Sequence, residues 1–142
     1  MLLANVAEII QKVLPYDLFA ILLYNDRRQD MRIRYAVGHR EEVVRGLSIA
    51  LGEGITGTAA ARREPVLVGD VRNEPRYLHT LDAVRTELAV PMMARGKLVG
   101  VIDLQATRIN AYTEYDRVTC RPRASMPIPS MIARCCGSSP RA

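Results

Sequence analysis

The chain has no tryptophan, one phenylalanine (Phe19), and no cysteine before position 120. Each lack excludes a class of function. A stacking platform for nucleic-acid bases is poorly supplied. Residues 1–119 hold neither a disulfide framework nor a nucleophilic thiolate of their own, which fits a reducing compartment. No apolar run approaches the roughly 18 residues of a membrane helix. The start, MLLANVAEIIQKVL, lacks the basic segment and small-residue cleavage site of a signal peptide. A cytoplasmic protein with no membrane partner is expected.

One-sided charge is also scarcer than the net value of +5 implies. Residues 118–142 carry Arg121, Arg123, Arg134 and Arg141 and no acid, so this tail is +4 and the remainder about +1. A nearly neutral body with a basic tail is not a nucleic-acid groove. No His, Cys, Asp and Glu cluster has metal-ligand spacing. Cys120, Cys135 and Cys136 all lie in the tail, and the adjacent Cys135 and Cys136 make a poor disulfide pair.

What is present is enough for one domain: 142 residues, 49% hydrophobic, with room for a sizeable core. Val6, Ile9, Ile10, Val13 and Leu14 follow helical spacing until Pro15 ends it. Residues 17–25 read as a buried strand, and Met31–Val37 alternates as a half-exposed one. Short helices are expected over 39–47 and 56–63, and a strand over 65–71. Residues 73–85 read as a partly helical loop. Glu87–Gln105, ELAVPMMARGKLVGVIDLQ, is a nearly all-apolar hairpin turning at Gly96, which belongs at the centre of a sheet covered on both faces. Thr113 with Asp116 three positions on is a capping box with Asp in place of Glu, so a helix starts there.

The segments LGEGITGTAAARREPVLVGDV, PRY, ELAVPMMARGKLVGVIDLQ and AYTEYDR, in that order, resemble a GAF domain over about Leu2 to Val118. The resemblance implies an α+β fold: a mostly antiparallel six-stranded central sheet with helices on both faces. It implies terminal helices that pack together and commonly dimerise, hence a homodimer. It also implies a small-molecule ligand between the sheet and the loops before the hairpin. Residues 1–118 form the sensor-like domain. Residues 119–142, with Pro122, Pro127, Pro129 and Pro140, replace the helix the family has at this end, as a frameshifted product would. With that helix lost, the apolar face of the first helix is uncovered and self-association is expected.

Subtypes of the family separate on single residues. A cyclic-nucleotide motif is mostly absent: Gln105-Ala106, Tyr112 and Asp116-Arg117 stand at its positions and only Asp116 matches. A covalent bilin needs a cysteine that residues 1–119 lack. Methionine sulfoxide reductases of this fold need a pocket thiolate and a resolving cysteine, absent for the same reason. A haem needs an axial ligand, and the histidines are His39, expected exposed beside Arg40 and Glu41, and His79 in the ligand-side loop. The cofactor is thus left unassigned. Gly52–Gly57 lacks the Lys-Ser/Thr of a phosphate loop and reads as turn geometry.

The loop 70–87 concentrates polar groups beside the apolar hairpin, the combination small-molecule recognition uses. Candidate ligand-binding residues are Asp70, Arg76, Tyr77, His79, Arg85 and Glu87, with Asp103 on the strand, alternating away from Ile102 and Leu104. The competing expectations are a solvated loop in which Arg85 pairs with Glu87, and an Asp103 that is structurally paired. With no nucleophile and base paired among these residues, the resemblance implies a non-catalytic regulatory domain, not an enzyme, that senses a small molecule and controls an output domain outside this chain. The alternative is a ligand-free dimerisation module whose pocket is plugged by Tyr77, Leu78 and Met92.

Overall fold

The computed structural model describes residues 2–78, 83–122 and 127–136. Six strands, β1 (Leu18–Asn25), β2 (Asp30–Val37), β3 (Ser48–Ala50), β4 (Val66–Val68), β5 (Thr86–Ala94) and β6 (Lys97–Ala106), form one sheet in the order β3-β2-β1-β6-β5-β4. Every adjacent pair is antiparallel. The helices are α1 (Leu2–Val13), α2 (Glu41–Gly46), α3 (Gly54–Arg62), α4 (Glu114–Thr119) and α5 (Ile128–Cys136). The α+β expectation and the central hairpin both hold. That hairpin turns through Arg95 and Gly96, both at positive φ (52° and 76°), the pairing of a type I′ turn whose twist matches the strands it joins.

Alternation along the central strands makes two cores. Phe19, Ile21, Leu88, Val90, Ile102 and Leu104 face one side, where Ala7, Ile10 and Leu14 of the α1 end cover them, joined by Ile128 and Ile132 of α5. Ala20, Leu22, Ala89 and Val101 face the other, under Ile55, Ala59 and Ala60 of α3. The stretch from α1 into β1 is pinned by Gln11. Its Nε2 donates to the Tyr16 carbonyl (3.1 Å), and its Oε1 accepts from the Tyr16 amide (2.6 Å). The Thr113–Asp116 capping box forms reciprocally, at 3.2 and 2.8 Å.

The expectation that the tail forms no helix is corrected by α5. Pro127 precedes it and Pro129 is its second residue. The first-turn amides of a helix have no intrahelical acceptor, so a proline there removes no bond. Ile128 and Ile132, four apart, then share the face that packs on the first core. Cys120 is buried and disulfide-bonded. Between α1 and α5 an apolar groove remains open, lined among others by Leu2, Val6, Ile9, Leu23 and Val99. No described helix is long and apolar enough to cross a membrane.

Candidate functional site

The site is built by the register of β5 on β6. Glu87 stands opposite Gln105, and Ala89 opposite Asp103. The side-chain period of two therefore sends Glu87, Asp103 and Gln105 to one face, the α3 side, while Leu88, Ile102 and Leu104 go to the other. Two carboxyls and an amide thus sit in the middle of an otherwise apolar sheet. Glu87 is 3% exposed, Asp103 4% and Gln105 3%.

Helix α3 closes over them because it is small. A Cβ on Gly57 would meet the Ala50 carbonyl oxygen at 2.4 Å, and one on Gly54, at φ 66°, would meet the Leu78 side chain at 2.8 Å. The glycines let α3 sit close and let Leu78 roof the pocket. Thr56 Oγ1 then reaches Glu87 Oε1 at 3.5 Å, the outer limit of a hydrogen bond. Gln105 Nε2 donates to Asp103 Oδ2 at 2.9 Å. Ala20, Leu22, Ile33, Leu47, Ile49 and Ile55 form the apolar walls.

Burial drives the protonation. Desolvation, then the Asp103 charge and the hydrogen bond between the two, raise the Glu87 carboxyl well above the usual carboxylate range. Burial also raises Asp103, against the hydrogen bonds from Glu87 and Gln105. Asp103 Oδ1 is buried and has no hydrogen-bond partner among the described residues. The hydrogen bond between the two carboxyls raises Glu87 and lowers Asp103, so Glu87 is the member of the pair that keeps a proton to the higher pH.

This has a thermodynamic consequence. Folded Glu87 keeps its proton above the unfolded value of about 4.3. The folded state therefore binds more protons, and stability falls as pH rises from about 5 through the folded pKa. Burial lowers the His39 pKa, which acts in the opposite sense below about 6.5. Comparing wild type with Glu87→Gln cancels that part. Urea midpoints between pH 5 and 8 should decline more steeply for wild type. Parallel profiles would show that Glu87 is ionised throughout.

His39, expected exposed, lies in the pocket wall, and neither ring nitrogen touches water or a partner among the described residues. The sequence neighbours Arg40 and Glu41 gave no sign of this. The chain turns there because Gly38 adopts φ 82°, and a Cβ on it would meet the Asp17 carbonyl oxygen at 2.6 Å.

Of the other predicted site residues, His79 lies outside the described residues. Asp70 is not among the pocket's lining. It caps the short 3-10 turn Val71–Asn73 and pairs with Arg72 (2.9 and 2.7 Å), whose hydrogen bonds hold its carboxyl down at about 2. Arg76 pairs with Glu74 at 2.6 Å. Tyr77 is buried in the core on the pocket side. Arg85 donates from Nη1 to the Val84 carbonyl, and its own carbonyl accepts from Val71. Of the seven, then, Glu87 and Asp103 are brought together in the pocket. Met92, expected as a plug, faces the opposite core. The free volume beside the pair is about 20 Å³, room for about one water. Among the described residues no group of three or more His, Cys, Asp or Glu could hold a metal ion.

Comparison with known proteins follows this geometry. Over 68 residues the chain is 28% identical to GAF domain-containing protein A of Dictyostelium discoideum, spanning 48% of this chain and 43% of that protein. Over 70 residues it is 31% identical to the free methionine-R-sulfoxide reductase of Saccharomyces cerevisiae, spanning 49% of this chain and 39% of that enzyme. These matches thus cover about two fifths of the relatives' length. The structure of the free methionine-R-sulfoxide reductase from Neisseria meningitidis, in complex with its substrate, superposes with a TM-score of 0.75 at 22% identity, covering 94% of this chain and 72% of that one. The expectation of a non-catalytic sensor, with its ligand-free alternative, is corrected by these matches, because relatives in sequence and neighbours in fold include enzymes named free methionine-R-sulfoxide reductase. That expectation leaned on the missing thiol, which excludes a nucleophile from residues 1–119 but not catalysis with a thiol from elsewhere. The family model for the GAF domain matches residues 2–121, and the chain belongs to the GAF domain family.

Proposed function

We propose that this chain is an enzyme that reduces a small free sulfoxide of the methionine-R-sulfoxide type, with Glu87 as general acid and an external thiol as reductant. The observation that carries the reading is the buried Glu87–Asp103 pair, which holds a proton at the floor of a half-apolar pocket. The names of the relatives point to the same substrate.

The chemistry needs an acid, because a sulfoxide oxygen leaves only as water. Protonated Glu87 donates to that oxygen. A thiol sulfur bonds to the substrate sulfur as the S–O bond breaks, the proton that thiol loses completes the water, and the proton of the second thiol later returns to Glu87. A second thiol then attacks the first thiol's sulfur. The thioether departs with the electron pair of the broken S–S bond, leaving one disulfide and one water per two thiols consumed. Asp103, accepting from Gln105, keeps its charge beside Glu87 and holds the proton there between turnovers. The thiol comes from a low-molecular-weight or protein dithiol, since residues 1–119 contain none and Cys120 sits in the opposite core in a disulfide. A pocket of about 20 Å³ admits an amino acid only when the Leu78 roof swings out.

The test is direct. The purified chain, free methionine-R-sulfoxide and dithiothreitol should yield methionine above the protein-free rate, with the S epimer turned over far more slowly. Replacing Cys120, Cys135 and Cys136 by Ser should leave the rate within a few-fold. Methionine formation no faster than in the protein-free control would end the proposal.

A further inference from the structure

We propose that His39 recognises the α-carboxylate of the free amino-acid substrate and so selects the free acid over its amides and peptides. The inference rests on the function proposed above.

Three observations carry it. First, His39 lines the pocket, and both its ring nitrogens are shielded from water and without a partner among the described residues. Buried polar groups are ordinarily satisfied, and an orphan at a pocket wall is explained by a ligand that supplies the partner. Second, the other polar groups of the pocket are committed. Gln105 donates to Asp103, and Thr56 points its hydroxyl at Glu87. A carboxylate is repelled by the charge on the acid pair and needs an N–H donor away from it, and His39 is the lining imidazole that carries one. Third, the backbone is committed to this placement. Gly38, at φ 82° and packed on the Asp17 carbonyl, turns the chain so that residue 39 faces the pocket rather than continuing β2 outward. Burial keeps the imidazole neutral when the pocket is empty. An arriving carboxylate supplies both the acceptor and the charge that favours the imidazolium, so the ion pair forms only in the complex.

Recognition by one shielded pair discriminates strongly, because the amide analogue leaves the donor facing a neutral, partly donating group. The experiment compares kcat/KM for free methionine-R-sulfoxide with that for methioninamide R-sulfoxide, under dithiothreitol. Wild type should prefer the free acid by tenfold or more, and His39→Leu should bring the ratio close to one. His39→Gln, which keeps an N–H donor and much of the volume, should retain part of the preference and covers the case in which the Leu variant misfolds, checked by circular dichroism. An acid-to-amide ratio unchanged in folded His39→Leu or His39→Gln overturns the role of His39 and leaves the proposed reaction standing. Wild type that turns over neither substrate overturns the reaction, and this inference with it.

Discussion

Glu87→Gln is expected to lower the rate of methionine formation by about 100-fold or more, the range associated with loss of a positioned general acid. The substitution keeps the shape of the side chain and its reach to Thr56 and Asp103, and removes only the transferable proton. Affinity for the sulfoxide should change much less, since the amide still donates to the sulfoxide oxygen. The separation of a large kcat effect from a small KM effect is the signature of a group used in the transition state. Steady-state kinetics on both proteins checks it. A Gln variant that turns over like wild type would show that the proton comes from elsewhere. Asp103→Asn should behave differently, because it removes the Asp103 charge, which after burial is the next cause of Glu87's raised pKa, and so shifts the pH profile downward more than it changes the maximal rate.

The largest stability effect is expected at Phe19. The ring is fully buried, packs against Tyr16 at a centroid distance of 4.8 Å, and lies on β1 opposite both Leu104 and Val37. Phe19→Ala leaves a cavity at the junction of α1 with the central strands and should cost about 3–5 kcal/mol, a large share of the 5–15 kcal/mol typical of a domain. Phe19→Leu should cost much less, because most of the volume is kept. Urea denaturation of both variants measures this. A Phe19→Ala loss under about 1 kcal/mol would mean that the core between α1 and the sheet is loosely packed.

Much of this architecture is legible in the residues, for reasons that differ by element. The β5–β6 hairpin announces itself because its apolar runs and Gly96 encode centrality and reversal locally. α1 and α4 carry their own stop and start signals in Pro15 and the Thr113–Asp116 box. β3 carries none. It is three residues long, and it exists because Asp30–Arg32 present a free edge and Ser48 Oγ donates to Asp30 at 2.7 Å. α5 was obscured because its prolines count heavily against a helix interior and lightly in a first turn. The site divides the same way. Glu87 and Asp103 stand out as acids within apolar strands, but their meeting depends on register. His39 looks like a surface residue among charged neighbours, and only the turn at Gly38 brings it inside. Arg76 reads as a ligand group and Asp70 as another, yet Arg76 is taken by Glu74 and Asp70 by Arg72, each two positions away, a local pairing that composition alone does not reveal.

The order of strands in the sheet also bears on how the chain is made. β1 lies beside β6, with Leu18 paired to Gln105, 87 residues later (105 minus 18). A ribosome releasing this chain first produces β1, β2 and β3, a three-stranded piece whose β1 edge and both apolar faces are open until the last inner strand emerges. Such long-range closure is slow, and an unpaired inner edge is a template for pairing with a neighbouring nascent chain. The centre of the sheet is therefore its last part to be completed. Slowing translation before residue 106 should lower the soluble yield, whereas a pause after β6 should not.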